Sequence, residues 1–188
     1  VSVTPDNKDD VPEIFRLARE LGLHTKASTY MYPPVRLDDG RPGDAPHRFA
    51  PEDAARYMLL CREQQFTLEE LRASAAGVPL SDGDECTGNA EGEPVLCRAG
   101  RSSFRLTWDG RMIPCGMMAS PGTPVMEQGF SAAWRSVQTE VEAIRLPAAC
   151  AGCALRRHCN LCAASCFAET GDYDRKPDYT CSPTHTLC

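Results

Sequence analysis

From Cys150 the chain reads CAGCALRRHCNLCAASC, five cysteines separated by two, five, two and three residues, and Cys181 follows. Upstream, Cys97 and Cys115 bracket a segment containing Asp109-Gly110, and Cys86 precedes them. Short spacers of this kind let several sulfurs converge on one small centre, and the thiolate is the form of cysteine that binds metal. The number of cysteines is enough for two four-thiolate sites. This clustering constrains the chain more than any other feature.

A disulfide framework suits short secreted chains with paired cysteines. Here the total of eleven is odd and no secretion signal is visible in VSVTPDNKDD, which has neither a basic nor an apolar stretch. Metal-bound thiolates in a reducing cytoplasm fit better. Net charge is −6, which argues against a nucleic-acid footprint. No apolar run approaches the ~18–20 residues needed to span a bilayer. Hydrophobic content of 42% allows a packed core within 188 residues. The opening residues, without an initiator Met, read as a stretch from within a longer protein.

The elements expected are α+β. Residues 1–5 read as a short strand, Asp10 to Leu21 as a helix with Val11, Ile14, Phe15, Leu17, Ala18 and Leu21 on its apolar face, and 23–32 as a second strand ended by Pro33-Pro34. This strand–helix–strand reads as the end of a larger parallel α/β barrel. A helix is expected from Pro51, with Glu52 and Asp53 in its first turn, then a second helix for which Thr67 and Glu70 form a capping box. Cys61 lies among Met58, Leu59 and Leu60 and reads as a core residue. The acidic stretch 78–96 marks the domain boundary, giving domains 1–77 and 78–188. Asp109-Gly110 between Phe104, Leu106, Trp108 and the following RMIPCGMM predicts a hairpin with a type I′ turn. Ser131 is expected to cap a helix carrying Trp134, Val137, Val141 and Ile144.

Structural zinc takes four ligands, commonly from two short knuckles. Cys150, Cys153, Cys159 and Cys162 would satisfy one zinc and leave Cys97, Cys115, Cys166 and Cys181 unexplained. Iron–sulfur clusters draw on runs of cysteine plus distant ones, and two of them account for more of the set.

At this point a resemblance becomes specific. Cys97, twelve residues, Gly110, four residues and Cys115, then Cys150, Cys153 and Cys159, then Cys181, resemble the SPASM domain, the auxiliary-cluster domain at the C-terminus of many radical S-adenosylmethionine enzymes. The pattern departs at its fourth central cysteine. Cys162 follows Cys159 after two residues where the general pattern has three, a spacing similar to that of the pyrroloquinoline quinone biosynthesis branch. Cys166 is then a bystander or a substitute ligand. The resemblance implies two [4Fe–4S] clusters. One would use Cys97, Cys115, Cys162 and an upstream cysteine, for which Cys86 is the nearby candidate. The other would use Cys150, Cys153, Cys159 and Cys181. It also implies that metal and fold are coupled here. More weakly, residues 1–32 with their exit TYMYPPVR resemble the last turns of a radical S-adenosylmethionine partial (β/α) barrel.

The C-x3-C-x2-C motif that holds the catalytic cluster in that family is absent from this sequence, so S-adenosylmethionine and a third cluster would belong to a full-length parent. What the resemblance implies is an electron-transfer and substrate-docking part of an enzyme that modifies a peptide or protein. Its partners would be that substrate and an electron donor or acceptor such as ferredoxin or flavodoxin, with no nucleic acid and no membrane. The reading from another class is a zinc-stabilised binding module without redox chemistry. Arg156, Arg157 and His158 between cluster ligands could raise a cluster's potential or form a solvated basic turn. Tyr30, Tyr32 and Arg36 could contact substrate or pack under the next loop. Trp108 and Trp134 read as core. Met117 and Met118 read as shields of a cluster, and Met58 and Met112 as packing residues. Cys188 reads as a free terminal thiol.

Overall fold

The computed structural model of the chain describes residues 1–32, 43, 45, 47–76, 95, 97–150, 152–156, 159 and 161–187. The chain divides into two compact units: Val1–Met31 with Ala45–Asp84 and Asp178–Cys188, and Tyr32–Asp44 with Glu85–Pro177. Pro33, Pro34, Arg36 and the acidic stretch around Cys86 lie outside the described residues.

In the first unit a 3-10 turn, Lys8–Asp10, leads into helix α1, Val11–Glu20. The strands expected on either side meet in one parallel bridge, Ser2 with Ser28. Val3 N–H donates to the Ser28 carbonyl at 2.9 Å and Ser28 N–H to the Val1 carbonyl at 3.0 Å. Val11 and Phe15 of α1 are buried, and Ile14 and Ala18 half-buried. Leu17 and Leu21, expected on the same face, are exposed at 49% and 61%. Leu17 lies roughly 200° round from Phe15 at about 100° per residue, on the far side of the helix, and Leu21 stands past the end of α1 as its C-cap.

Helix α2, Pro51–Gln65, starts where proline at its first turn and the acids Glu52 and Asp53 suit a helix N-terminus. It buries Ala54, Ala55 and Cys61. With Val3, Val11, Phe15 and Phe49, these residues other than Ala55 form an apolar core. Phe49 stacks on Tyr57 at 4.8 Å between centroids. Thr29 is buried and donates its hydroxyl to the Ala54 carbonyl at 3.0 Å, so its polarity is satisfied. Helix α3, Leu68–Ala75, opens with the complete capping box, the Thr67 side chain accepting from Glu70 N–H and the Glu70 carboxylate accepting from Thr67 N–H at 2.7 Å. The last helix of the chain, α7 (Asp178–Leu187), packs on α2. The Arg48 guanidinium lies 3.7 Å over the Tyr179 ring, and the Tyr179 hydroxyl donates to the Phe49 carbonyl at 2.9 Å.

The second unit is built on a three-stranded antiparallel sheet in the order β1–β2–β3: β1, Arg105–Leu106; β2, Arg111–Ile113; β3, Thr123–Pro124. Leu106 pairs with Met112, and Met112 with Thr123. The hairpin forms where Asp109-Gly110 predicts it, but its turn is not type I′. That turn needs positive φ at both central residues, and of the two only Gly110 has it, at +77°. Thr107 N–H donates to the Arg111 carbonyl at 2.9 Å, so the loop holds three residues with glycine last. Trp108 therefore stands in the turn itself and is 78% exposed, not a core residue.

A short helix, α4 (Val125–Gln128), leads to α5, Phe130–Ala143. The α5 N-cap is Gly129, with φ +78°, rather than Ser131, which lies inside the first turn. Ala133, Val137 and Val141 of α5 are buried with Met112, Met118, Ile144, Leu146, Ala163 and Ala164. Burying each valine contributes roughly 1.5–3 kcal/mol. Trp134 packs half-buried against this core, 5.6 Å from Phe104 between ring centroids. After Pro147 the cysteine-bearing segment runs to helix α6, Ala163–Thr170, which stops at Gly171 in the left-handed conformation.

Candidate metal centre

Cys97 leads into the hairpin, Cys115 follows its second strand, and Cys162 is the N-cap of α6. All three are half-buried and pack against the core of the second unit. Burial pushes the Cys115 thiol up, and the nearby Cys162 and Cys97 push it further, while the N–H groups of Met117 and Met118 pull it down. The Met117 N–H donates to the Cys115 sulfur at 3.4 Å. The Ser165 N–H donates to the Cys162 sulfur, also at 3.4 Å. Met118 is fully buried and Met117 half-buried beside Cys115. Cys97 and Cys162 lie near enough to Cys115 for their charges to act on it, and amide donors reach the sulfurs of Cys115 and Cys162, so these are the thiols that could hold a thiolate-bound iron–sulfur cluster. N–H···S bonds to ligand sulfurs are among the features that set such a cluster's potential.

Tyr173 completes this neighbourhood. It stacks on Phe167 at 4.7 Å, and its hydroxyl donates to the Ser120 carbonyl. Burial, then the charges of Cys115 and Glu140, hold its phenol well above the usual tyrosine range. The sequence carries no signal for this role, because the ring reaches Ser120 from far along the chain.

A second group follows. Cys150, Cys153 and Cys159 lie on a curl of tight turns. Cys150 N–H donates to Pro147, Cys153 N–H to Cys150, Arg156 N–H to Cys153 and Cys159 N–H to Arg156, at 2.9, 3.3, 3.0 and 3.2 Å. The Arg156 guanidinium closes the curl by donating to the Cys159 carbonyl at 3.1 Å. Cys166, on α6, is completely buried. Burial pushes its thiol far up, Cys162, Cys150 and Cys159 push the same way, and Arg156 opposes them. Arg157 and His158 lie outside the described residues.

Cys181 is half-buried on α7, in the first unit. Cys61 is buried in the core of the first unit, with Phe49 and Ala54. Cys86 and Cys188 lie outside the described residues. None of the nine described cysteines forms a disulfide. Among the described residues no group of three His, Cys, Asp or Glu side chains is placed to hold a metal ion. In the first unit Tyr30 lies 6.3 Å from Tyr179 between ring centroids, and in the second Tyr32 is 44% exposed. Among the described residues no helix is long and apolar enough to cross a membrane.

No family model matches the sequence, and no solved structure matches it. A curated protein does. The AdoMet-dependent heme synthase of Methanosarcina barkeri (strain Fusaro / DSM 804) is 23% identical over 191 residues, covering 95% of this chain and 54% of that protein. The chain thus spans about half the length of the curated relative it matches. The likeness is distant, and it supports the radical S-adenosylmethionine family in general.

Proposed function

We propose that this chain is the auxiliary iron–sulfur portion of a radical S-adenosylmethionine enzyme, preceded in its parent by the barrel that carries the catalytic cluster. The observation that carries this reading is the grouping of Cys97, Cys115 and Cys162 from three separate segments, with amide donors on two of the sulfurs. The likeness to an AdoMet-dependent enzyme across 95% of the chain supports the same reading independently.

In this proposal one [4Fe–4S] cluster is held by Cys97, Cys115, Cys162 and an upstream cysteine, Cys86. The other is held by Cys150, Cys153, Cys159 and a fourth thiolate, Cys181 in the SPASM pattern. The clusters supply one-electron chemistry. The chain's own residues fix them, keep water from them through Met117, Met118 and Tyr173, and donate N–H bonds to their sulfurs. The substrate proposed from the SPASM resemblance is a peptide or protein. The heme-synthase relative favours a second reading, a tetrapyrrole substrate, and the two separate in a binding titration of the parent enzyme with each class.

The deciding experiment is iron, acid-labile sulfide and zinc per chain after purification and reconstitution without oxygen. The expected result is about eight iron and eight sulfide with broad brown absorbance. One or two zinc with no sulfide, in protein never given iron, would leave a structural zinc module instead.

A further inference from the structure

We propose that the open edge of β1 docks an extended peptide in which acidic and large apolar side chains alternate. The inference goes beyond the function proposed above and needs no metal, so it stands or falls on its own test.

Large apolar side chains lie open to solvent along one side of the second unit. Phe104, Leu106 and Phe130 are exposed, and so are Trp108 and, at 88%, Met126. They form a row. The Phe104 ring lies 5.4 Å from that of Phe130 and 5.6 Å from that of Trp134 between centroids. Leu106 and Trp108 follow along the hairpin. At the turn, Val125 N–H donates to the Gly110 carbonyl at 2.9 Å. Met126 lies against Gly110, where a Cβ would come within 3.3 Å of its Cγ. Exposed apolar residues scattered singly need no explanation, but a contiguous row marks an interaction surface.

The backbone of β1 supplies the second half of the site. Among the described residues no strand pairs with β1 on the side away from β2. Thr107 N–H bonds across to the Arg111 carbonyl. In the alternation of an antiparallel ladder, the neighbouring pair, Leu106 with Met112, is therefore the one without hydrogen bonds. The N–H and C=O of Leu106 point to the open edge, where an added strand can bond to them.

The two faces of β1 differ, and the difference specifies the occupant. Leu106 stands opposite Met112, which is buried with Val137 of α5, and Phe104 contacts the α5 rings. Both lie on the apolar face. Arg105 is exposed on the other face, opposite Ile113, and Arg111 shares that face two residues away along β2. From Cys97 to Met126 the sequence holds four arginines and one carboxylate, Asp109, whereas the chain as a whole carries −6. Asp109 accepts from the Thr107 hydroxyl within the turn. Arg111 donates to the Gly122 carbonyl and Arg101 to the Val95 carbonyl, bonds that leave the positive charge uncompensated. A strand laid against β1 would put every second side chain beside Phe104 and Leu106 and the others beside Arg105. Leucine or phenylalanine suits the first set, and glutamate or aspartate the second.

A second copy of the chain fits less well. Two β1 edges paired antiparallel so as to use both Phe104 and Leu106 would set Arg105 directly opposite itself, and like charges in that position are destabilising. A single-stranded nucleic acid would meet the arginines and the rings but makes no use of the open backbone.

The test uses the full chain, reconstituted without oxygen. The probe is a fluorescein-labelled synthetic peptide of about eight residues in which glutamate alternates with leucine, read by fluorescence anisotropy. The comparison probes are the same peptide with lysine for glutamate, a peptide of the same composition arranged in two blocks, and a labelled single-stranded oligonucleotide. The alternating glutamate peptide should bind about tenfold more tightly than each of these, or better. Arg105→Glu should reverse the preference between the glutamate and lysine peptides. Leu106→Pro removes the outward N–H at a position where an edge strand tolerates proline, and should weaken binding about tenfold with unchanged far-UV circular dichroism. Arg105→Glu, a substitution at an exposed side chain, keeps the test decisive if Leu106→Pro disturbs the fold. Equal binding of the alternating and block peptides overturns the inference, as do tighter binding of the oligonucleotide, an unchanged preference in Arg105→Glu, and no binding of any probe. A dimer in sedimentation equilibrium that Leu106→Pro dissociates assigns the edge to a second copy and overturns it too. Iron in the same preparation is measured separately. A chain that binds the glutamate peptide but takes up no iron overturns the proposed function and leaves this inference standing.

Discussion

The first unit and the cysteine-bearing segment of the second are organised by different means. The first packs α1, α2 and α7 through apolar side chains, with Val3, Val11 and Phe15 at 3% exposure or less. The second has a comparable core, formed by α5, the sheet and the first turn of α6. Between Ala148 and Cys162 the buried apolar residue among those described is Leu161, and the curl is held by backbone turns and Arg156. The lesson is that one region carries its shape in its own packing. The other leaves most of its cysteines half-buried, and under the proposed function bound iron would complete it.

The comparison breaks most readily in the first unit. Phe15→Ala should destabilise that unit by roughly 3–5 kcal/mol, because a fully packed ring leaves a cavity that α1 and α2 fill only in part. Urea unfolding followed by circular dichroism measures the loss. The iron content of the reconstituted protein should stay at the wild-type value. If it falls in step with stability, cluster binding depends on the first core and the contrast between the two regions fails.

Gly100→Ala sharpens the contrast from the other side. Gly100 has φ +66°, and a Cβ there would meet Val141 Cγ2 at 2.6 Å and Val141 Cβ at 3.0 Å. Backbone strain and overpacking together should cost roughly 2–4 kcal/mol. Gly100 stands three residues after Cys97, so the variant should also take up less iron, whereas Phe15→Ala should not. Stability and iron assays on the pair of variants read this directly.

What the sequence shows in advance follows from how local each signal is. The start of α2 at Pro51 and the Thr67–Glu70 capping box depend on neighbours a few residues apart, and they stand where expected. The hairpin is legible at Gly110, but its turn type depends on whether Trp108 joins the loop, which the pairing of Thr107 with Arg111 decides. β3, at Thr123–Pro124, is too short to show alternation. α7 carries Pro183 inside it, a residue that reads as a helix breaker. For the site, the cysteines stand out by spacing alone. The complete burial of Cys166, the amide donors on two sulfurs and the Tyr173 contact with Ser120 arise from tertiary packing and leave no local trace.

The smallest expected effect is at the α3 N-terminus, where side-chain capping rather than core packing holds the chain. Thr67→Ala removes the acceptor for Glu70 N–H and should cost about 1 kcal/mol. The Thr67 backbone N–H, and then its hydroxyl, hold the Glu70 carboxyl below its ordinary value. A carboxyl whose folded value is depressed adds stability that is fully present above its unfolded value, about 4.3, and is lost as pH falls through the folded value. Protection of the first-turn amides of α3 against hydrogen exchange should therefore weaken on acidification in the wild type. In Glu70→Gln, which keeps a capping acceptor but does not titrate, it should stay flat across the same range. Equal pH dependence in the two proteins would assign the change to another group and leave the capping box as geometry without electrostatic weight. A flat Glu70→Gln profile would show this corner of the first unit responding to a single carboxylate, while the core behind it, built on Phe15 and Val11, is indifferent to pH.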